Sequence, residues 1–213
     1  MKEVVIRDQE LILHPSKSIY WKNNKTLLIA DFHIGKSAHF RRNGFPVHTG
    51  VDQVNLKNLF KILNTYPAEH LIFLGDLFHN KVNREWEVLQ KLLSNFQSLA
   101  VSLVLGNHDL LSTTFYQQMN IEVFPIKICM NPFVLTHKPL VEPSEEGYHL
   151  AGHLHPGIVL RGKGRQSVRL PCFYFNEYQG IMPAFGEFTG MAMIRPKKND
   201  QVYVVTDRGV VDV

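Results

Sequence analysis

The chain has 213 residues, of which 45% are hydrophobic and 20% charged, values typical of a globular protein with one sizeable core. No apolar run is long enough to span a bilayer and the first residues lack the apolar stretch of a signal peptide, so we expect a cytoplasmic protein without a membrane partner. The formal net charge of +4 suits an anionic substrate, and two distant cysteines argue against a disulfide framework or a thiolate metal site.

The first half of the sequence alternates short apolar runs with amphipathic segments. Residues 26–30, 71–74 and 101–105 are apolar runs that predict buried strands, whereas residues 51–64 and 84–97 carry apolar side chains at helical spacing. Buried strands separated by helices predict a sheet with parallel pairing and with helices that cover it.

The second half has a different pattern, in which short strands follow one another and glycine and proline separate them. The predicted strands are residues 133–136, 148–151, 158–161, 167–170, 191–194 and 201–205. They indicate a second sheet, mixed or antiparallel. Two sheets packed face to face with helices outside account for both halves, and we expect residues 1–213 to form a single domain of the α/β class.

Polar clusters follow the three predicted strands of the first half. Their candidate functional residues are Asp31, His33, Asp76, Asn107, His108 and Asp109. The second half adds His137 after one predicted strand, and His153 and His155 after the next. Because ligands of α/β sheets bind beyond the carboxyl ends of the strands, we expect these side chains to converge at one edge.

The residue types in these clusters are oxygen and imidazole ligands without thiolate, a set that favours Mn²⁺, Fe or Zn²⁺ over Mg²⁺ or Ca²⁺ alone. We expect an extended backbone to pair Asp31 with His33, and His153 with His155, because side chains two residues apart share one side of a strand. Glycines beside the candidate ligands predict sharp backbone turns. These glycines are Gly75, Gly106 and Gly152.

Each motif taken alone has a plainer explanation. An Asp-x-His or a Gly-Asp pair is usually a turn or a cap, and a single histidine such as His137 is often a hydrogen-bonded core residue. Gly-Asn-His-Asp would suit a loop, and Gly-His-Leu-His a surface strand. The ordered series of five motifs, each at the end of an apolar strand, is what favours a metal site over these readings.

The series Asp-x-His, Gly-Asp, Gly-Asn-His-Asp, His and Gly-His-x-His, from Asp31 to His155, resembles that of the calcineurin-like metallophosphoesterases. The resemblance implies a four-layer α-β-β-α sandwich of two mixed sheets flanked by helices. It also implies a dinuclear metal centre, for which Mn²⁺ is favoured and Fe or Zn²⁺ are alternatives.

The resemblance further implies a role for each candidate residue. The ligands fall into two sets that share one carboxylate: Asp31, His33 and His155 for one ion, Asn107, His137 and His153 for the other, and Asp76 for both. His108 would be the catalytic histidine and Asp109 the acidic residue that orients it. Two ions about 4 Å apart can hold a bridging hydroxide that attacks phosphorus, while His108 donates a proton to the leaving oxygen or stabilises its charge.

Longer segments, at residues 29–36, 40–42, 152–156, 169–173 and 183–190, resemble the PdeM family of bacterial ligase-associated DNA damage response endonucleases. This implies a metal-dependent phosphodiesterase or nuclease that acts on DNA, expected to be single-stranded, in DNA repair. It also implies a functional link to an ATP-dependent DNA ligase and a helicase. The alternative function is a small-molecule nucleotide phosphodiesterase or pyrophosphatase.

Substrate-binding candidates lie in the loops near these motifs. Arg41 and Arg42 follow Asp31 by about ten residues, and arginine suits bidentate contacts with phosphate. His79 follows Asp76 by three residues and is close enough in the chain to touch the substrate. A solvated loop, or a cap of the next helix for His79, is the competing explanation.

Overall fold

The computed structural model describes residues 1–36, 51–78, 84–162, 164, 166–187 and 189–213. In this part of the chain seven strands form a first sheet and nine form a second. The strands are β1 (Lys2–Ile6), β2 (Gln9–His14), β3 (Ser18–Trp21), β4 (Thr26–Ile29), β5 (His70–Leu74), β6 (Ala100–Val104), β7 (Ile121–Phe124), β8 (Lys127–Met130), β9 (Phe133–Thr136), β10 (Tyr148–Ala151), β11 (Pro156–Arg161), β12 (Ser167–Phe175), β13 (Gln179–Ile181), β14 (Ala192–Met193), β15 (Gln201–Thr206) and β16 (Gly209–Asp212). The helices are α1 (Val51–Thr65), α2 (Arg84–Leu93) and α3 (Thr113–Gln117), with a 3₁₀ turn at Lys22–Asn24.

The first sheet is mixed and has the order β1-β2-β3-β4-β5-β6-β7. Strands β1 to β4 pair antiparallel, and β4 to β7 pair parallel. The three buried strands predicted in the first half are β4, β5 and β6, which are adjacent and parallel. Their carboxyl ends therefore lie side by side at one edge, as the sequence predicts.

Helices α1, α2 and α3 all pack on one face of the first sheet. Their apolar side chains, such as Leu59 and Leu89, are buried in a cluster with Leu27 and Phe73 of the strands. The helix predicted for residues 84–97 ends earlier, at Leu93, and the residues that follow it form turns. The Asn95 side chain donates to the carbonyl groups of residues 91 and 92, which satisfies acceptors at that helix end. Among the described helices, none has the length and apolar character that a membrane crossing requires.

The second sheet is also mixed and runs β14-β11-β12-β13-β10-β9-β8, with β15 on β12 and β16 on β15. Its inner face packs on the first sheet, where Leu28 and Ile72 meet Leu150 and Phe173 in a buried cluster. A small cluster around Cys172 occupies its outer face, and the described residues place no helix in that cluster. The two mixed sheets are as predicted, and the helices of the described chain lie on the first one.

Strand β12 is longer than the predicted strand 167–170 because proline does not end it. Ser167 to Pro171 pair with β11, and the next four residues pair with β13 and β15 instead. The strand thus changes partners at Pro171, where the missing N–H group interrupts neither ladder.

Candidate metal centre

The loops after β4, β5 and β6 of the first sheet meet the loops after β9 and β10 of the second. His33 N–H donates to the carbonyl of Asp76 at 2.8 Å, which joins the loops after β4 and β5. His153 N–H donates to Asp31 Oδ2 at 2.8 Å, which joins the two sheets. The segments that carry the candidate ligands are therefore held to one another by hydrogen bonds of the protein itself.

The first group of ligand atoms belongs to Asp31, His33 and His155, whose ligand atoms lie within 4.8 Å of one another. Asp31 Oδ1 and His155 Nε2 are 3.3 Å apart, and both are buried without a hydrogen-bond partner. The other ring nitrogen of His155 donates to the carbonyl of Gly190 at 3.2 Å, so Nε2 carries the lone pair. A buried carboxylate oxygen and an imidazole lone pair that face each other unpaired are unfavourable, and a cation between them removes that penalty.

The second group consists of Asp76, His137 and His153, again with ligand atoms within 4.8 Å. His137 Nδ1 donates to the carbonyl of Leu74 at 2.9 Å, which leaves Nε2 with its lone pair. That nitrogen lies 3.1 Å from Asn107 Oδ1 and 3.1 Å from His153 Nδ1. Burial, and next the proximity of the His137 ring, lower the pKa of His153, and the neutral imidazole is the form that binds a metal.

Asp76 lies between the two groups. Its Oδ1 is 3.6 Å from His137 Nε2, and its Oδ2 is 3.8 Å from His33 Nε2. The Oδ1 atom also accepts the backbone N–H of His108 at 2.8 Å. One carboxylate thus faces both sets of imidazoles, and the position fits a ligand that two cations share.

The backbone is strained at five of the candidate ligands, where φ is positive. The values are 53° at Asp31, 51° at His33, 51° at Asp76, 65° at His153 and 50° at His155. Ten non-glycine residues of the described chain have positive φ, so half of them are candidate ligands. Such a conformation costs about 1–3 kcal/mol and clusters at functional sites.

The prediction that the Asp-x-His and His-x-His segments have an extended backbone is therefore wrong. Asp31 and His33 follow β4, and His153 and His155 follow β10, in irregular loops. The alternate side chains converge because left-handed residues recur at every second position and not because a pleated strand alternates them.

The three glycines beside the ligands act in two ways. Gly75 has a φ of 79° and makes the predicted turn. A Cβ atom at Gly106 would lie 2.2 Å from Asp76 Oδ1, and one at Gly152 would lie 2.5 Å from Asp31 Oδ2. At these two positions glycine leaves room for the carboxylates, because a side chain would collide with them. Neither glycine makes the predicted sharp turn, since neither has a positive φ.

Asp109 is a buried carboxylate that accepts three backbone N–H groups. Its Oδ1 accepts from Leu77 at 3.0 Å and from Phe78 at 3.2 Å, and its Oδ2 accepts from Gly106 at 2.9 Å. Burial raises the pKa of Asp109, and the hydrogen bonds act against that shift. These contacts fasten the loop after β6 to the loop after β5, which carries Asp76.

The His108 ring lies beside the first group of ligands and is half-buried. Its centroid is 5.5 Å from that of His33 in an edge-to-face arrangement. The ring thus stands next to the first group of candidate ligands. That Asp109 orients this ring stays a prediction.

All seven predicted ligands come together at this edge, whereas the predicted substrate contacts Arg41, Arg42 and His79 lie outside the described residues. Lys36, which is half-buried, stands near the same carboxylates. Burial lowers the pKa of Lys36, while the charges of Asp76 and then Asp31 act in the opposite direction.

Sequence reasoning missed the two carbonyl groups that orient imidazoles. His137 donates to the carbonyl of Leu74, and His155 to that of Gly190. Every residue has a carbonyl group, so no residue type signals this role.

The family model of the calcineurin-like phosphoesterases matches residues 25–153. This range contains six of the seven candidate ligands and ends two residues before His155. A comparison with curated proteins found no match.

Among solved structures, the chain is similar to the Pseudomonas putida nuclease MPE. The two are 33% identical over 100% of this chain and 99% of that one, with a TM-score of 0.84. A protein of unknown function from Aquifex aeolicus is 23% identical over 61% of this chain and 78% of that one, with a TM-score of 0.43. A predicted phosphoesterase from Streptococcus pneumoniae is 12% identical over 85% and 83% of the two chains, with a TM-score of 0.35.

Proposed function

The chain belongs to the calcineurin-like phosphoesterase family, and from this premise we propose that it hydrolyses phosphodiester bonds of DNA with two divalent cations. Family membership and the nuclease relative make it a metal-dependent phosphoesterase. The observation that carries the dinuclear proposal is Asp76, whose two carboxylate oxygens face imidazoles of different ligand groups. A carboxylate in that position supports two ions better than one.

Seven side chains would hold the two cations. They are Asp31, His33 and His155 for the first, Asn107, His137 and His153 for the second, and Asp76 for both. These donors are oxygen and neutral imidazole, which supports Mn²⁺, with Fe or Zn²⁺ as alternatives. When bound, such a pair of cations supplies Lewis acidity that lowers the pKa of water and offsets charge on the phosphoryl oxygens.

Three groups of the chain would act on the substrate directly or through the ligands. The His108 ring, half-buried beside His33, would donate a proton from a ring nitrogen to the leaving ester oxygen. The backbone N–H of His108 holds Asp76 Oδ1 in place. Asp109, through its three backbone hydrogen bonds, keeps the two loops in register.

A nucleic acid is the substrate that the nuclease relative supports, because that protein is 33% identical over the whole chain. The choice of DNA follows from the sequence resemblance to the ligase-associated endonucleases. The net charge of +4 is compatible with a polyanion. A role in DNA repair, with a link to an ATP-dependent DNA ligase and a helicase, follows from the sequence resemblance to the ligase-associated endonucleases. Cells that lack the gene should then be sensitive to DNA damage, and the Asp76→Asn protein should fail to restore resistance that the wild type restores.

Cleavage of circular single-stranded DNA tests the proposal, because a circle has no ends for an exonuclease. We expect the wild type to cleave it with Mn²⁺, and Asp76→Asn to lose activity by about 100-fold or more because one charge and one shared ligand oxygen are lost. Asp8→Asn is the matched control: Asp8 is exposed and also has a positive φ, of 61°. Cleavage that persists after chelation, or hydrolysis of cyclic nucleotides alone, would contradict the proposal.

A further inference from the structure

A cavity of about 370 Å³ lies beside the second ligand group. Asn107 and His137, two of the candidate ligands, form part of its wall. Pro125, Ile126 and Lys138 form another part. Its volume falls in the range of small-molecule sites, roughly 300–1,000 Å³. A substrate with its phosphate at the ligands would extend directly into this space.

The apolar wall of the cavity is the short turn between β7 and β8. Ile126 is 75% exposed there and offers an apolar surface to the cavity. The turn joins the two sheets: β7 pairs with β6 of the first, and β8 pairs with β9 of the second. Leu105 N–H also donates to the carbonyl of Phe124 at 2.9 Å, just before the turn. Ile126 is thus exposed yet held between two sheets, as a preformed contact surface should be.

The charged wall is Lys138, the residue after His137. Its carbonyl accepts the Thr136 hydroxyl at 3.0 Å, which fixes the backbone there. In the described part of the chain no carboxylate forms an ion pair with Lys138. An exposed cation beside the ligands is therefore available to an anion.

We propose that this cavity binds the nucleotide next to the scissile phosphate, a site that rests on the proposed function. The sugar and base would pack on Pro125 and Ile126, and the ammonium group of Lys138 would pair with the neighbouring phosphate. A base in a duplex is stacked and paired, so only an unpaired base can enter a cavity of this size. The occupant is thus a single strand of nucleic acid.

Two chromogenic diesters with the same leaving group test the apolar wall. Thymidine 5′-(p-nitrophenyl phosphate) carries a nucleoside, whereas methyl p-nitrophenyl phosphate carries a methyl group in its place. The ratio of their kcat/KM values, measured with Mn²⁺, reports on nucleoside binding and cancels a general loss of activity. We expect the wild type to prefer the thymidine diester and Ile126→Ser to reduce that preference by about fivefold or more. Val88→Ser is the control, since Val88 is 45% exposed on α2 and should leave the ratio unchanged.

Salt dependence tests the charged wall. We expect Lys138→Ala to reduce the slope of log kcat/KM against log salt for a single-stranded oligonucleotide by about 0.7, the value for one phosphate contact. Lys138→Arg should restore the slope, because arginine keeps the charge. Lys91→Ala, at an exposed lysine of α2, should leave it unchanged.

The outcomes separate the cavity from the proposed function. If the wild type hydrolyses both diesters with Mn²⁺ but Ile126→Ser and Lys138→Ala change neither the ratio nor the slope, the nucleotide site is refuted and the phosphodiesterase stands. If the wild type with Mn²⁺ hydrolyses neither diester and does not cleave DNA, the proposed function fails and the cavity proposal fails with it.

Discussion

At the residue scale, His108 contributes two separate groups to the centre. Its backbone N–H holds Asp76 Oδ1 at 2.8 Å, and its half-buried ring lies beside His33. His108→Ala removes the ring and keeps the N–H group. We therefore expect the variant to bind Mn²⁺ with unchanged stoichiometry while its turnover of a diester falls by about 100-fold or more. Calorimetric titration and a hydrolysis assay measure the two quantities.

The control for this prediction is His70→Ala, at a half-buried histidine that begins β5 at the opposite edge of the sheet. It should change neither metal binding nor turnover. Near-normal turnover of His108→Ala would show that the His108 ring takes no part in catalysis.

Asp109 should contribute to stability through its three backbone hydrogen bonds. Asp109→Ala leaves the N–H groups of Leu77, Phe78 and Gly106 without their acceptor in a buried place. We expect the free energy of unfolding to fall by roughly 2–4 kcal/mol, as urea denaturation would measure. Asp207→Ala, at an exposed position, is the control. A loss under about 0.5 kcal/mol would show that water replaces the carboxylate.

The candidate ligands could be named from the sequence because they are rare residue types in a fixed order at the ends of apolar strands. Asp31, Asp76 and His137 each follow a strand within two residues. The groups that orient the imidazoles could not be named, because the carbonyls of Leu74 and Gly190 carry no residue signature. The cavity wall at Ile126 was also hidden, since exposure depends on the packing of two sheets.

At the scale of elements, the strand ends decide the geometry of the centre. The parallel order β4-β5-β6 follows from buried apolar runs separated by helices, and the sequence predicts it. Strands β1, β2 and β3 were not predicted. For β3 the reason is that Ser18–Trp21 is only four residues long and includes a buried serine. The left-handed loops after β4 and β10 were not predicted either, because positive φ is uncommon at non-glycine residues and no residue type marks it in the sequence.

The loop after β10 should be intolerant of a single added methyl group. In Gly152→Ala the Cβ atom would lie 2.5 Å from Asp31 Oδ2 and 2.7 Å from the Cβ of Ala30. Asp31 must then shift, and we expect the affinity for Mn²⁺ to fall by about tenfold or more in a calorimetric titration. Gly162→Ala is the matched control, since a Cβ atom at Gly162 would meet no atom closer than 3.9 Å. Equal Mn²⁺ affinities of the two variants would mean that the loop accommodates the added methyl group without displacing Asp31.

At the scale of the whole molecule, the first sheet takes part in two cores. One face packs against the helices, with Trp86 in that cluster, and the other packs against the second sheet, with Trp21 in that cluster. The ligands come from loops of both sheets, so the centre exists only when the sandwich is assembled. We propose on this ground that residues 1–213 form a single cooperative domain.

The two tryptophans of the chain can test that cooperativity, because each reports on one core. Trp86→Phe leaves Trp21 to report on the packing between the sheets, and Trp21→Phe leaves Trp86 to report on the packing of the helices. Each variant shifts the midpoint of its own urea unfolding curve, so the fluorescence curve of each is compared with the far-ultraviolet circular dichroism curve of the same variant. We expect the two curves to coincide in both variants, because β4 and β5 have side chains in both cores and neither core can open alone. A fluorescence transition that precedes the loss of secondary structure in either variant would show that one face of the first sheet unfolds independently. That result would contradict a single cooperative domain.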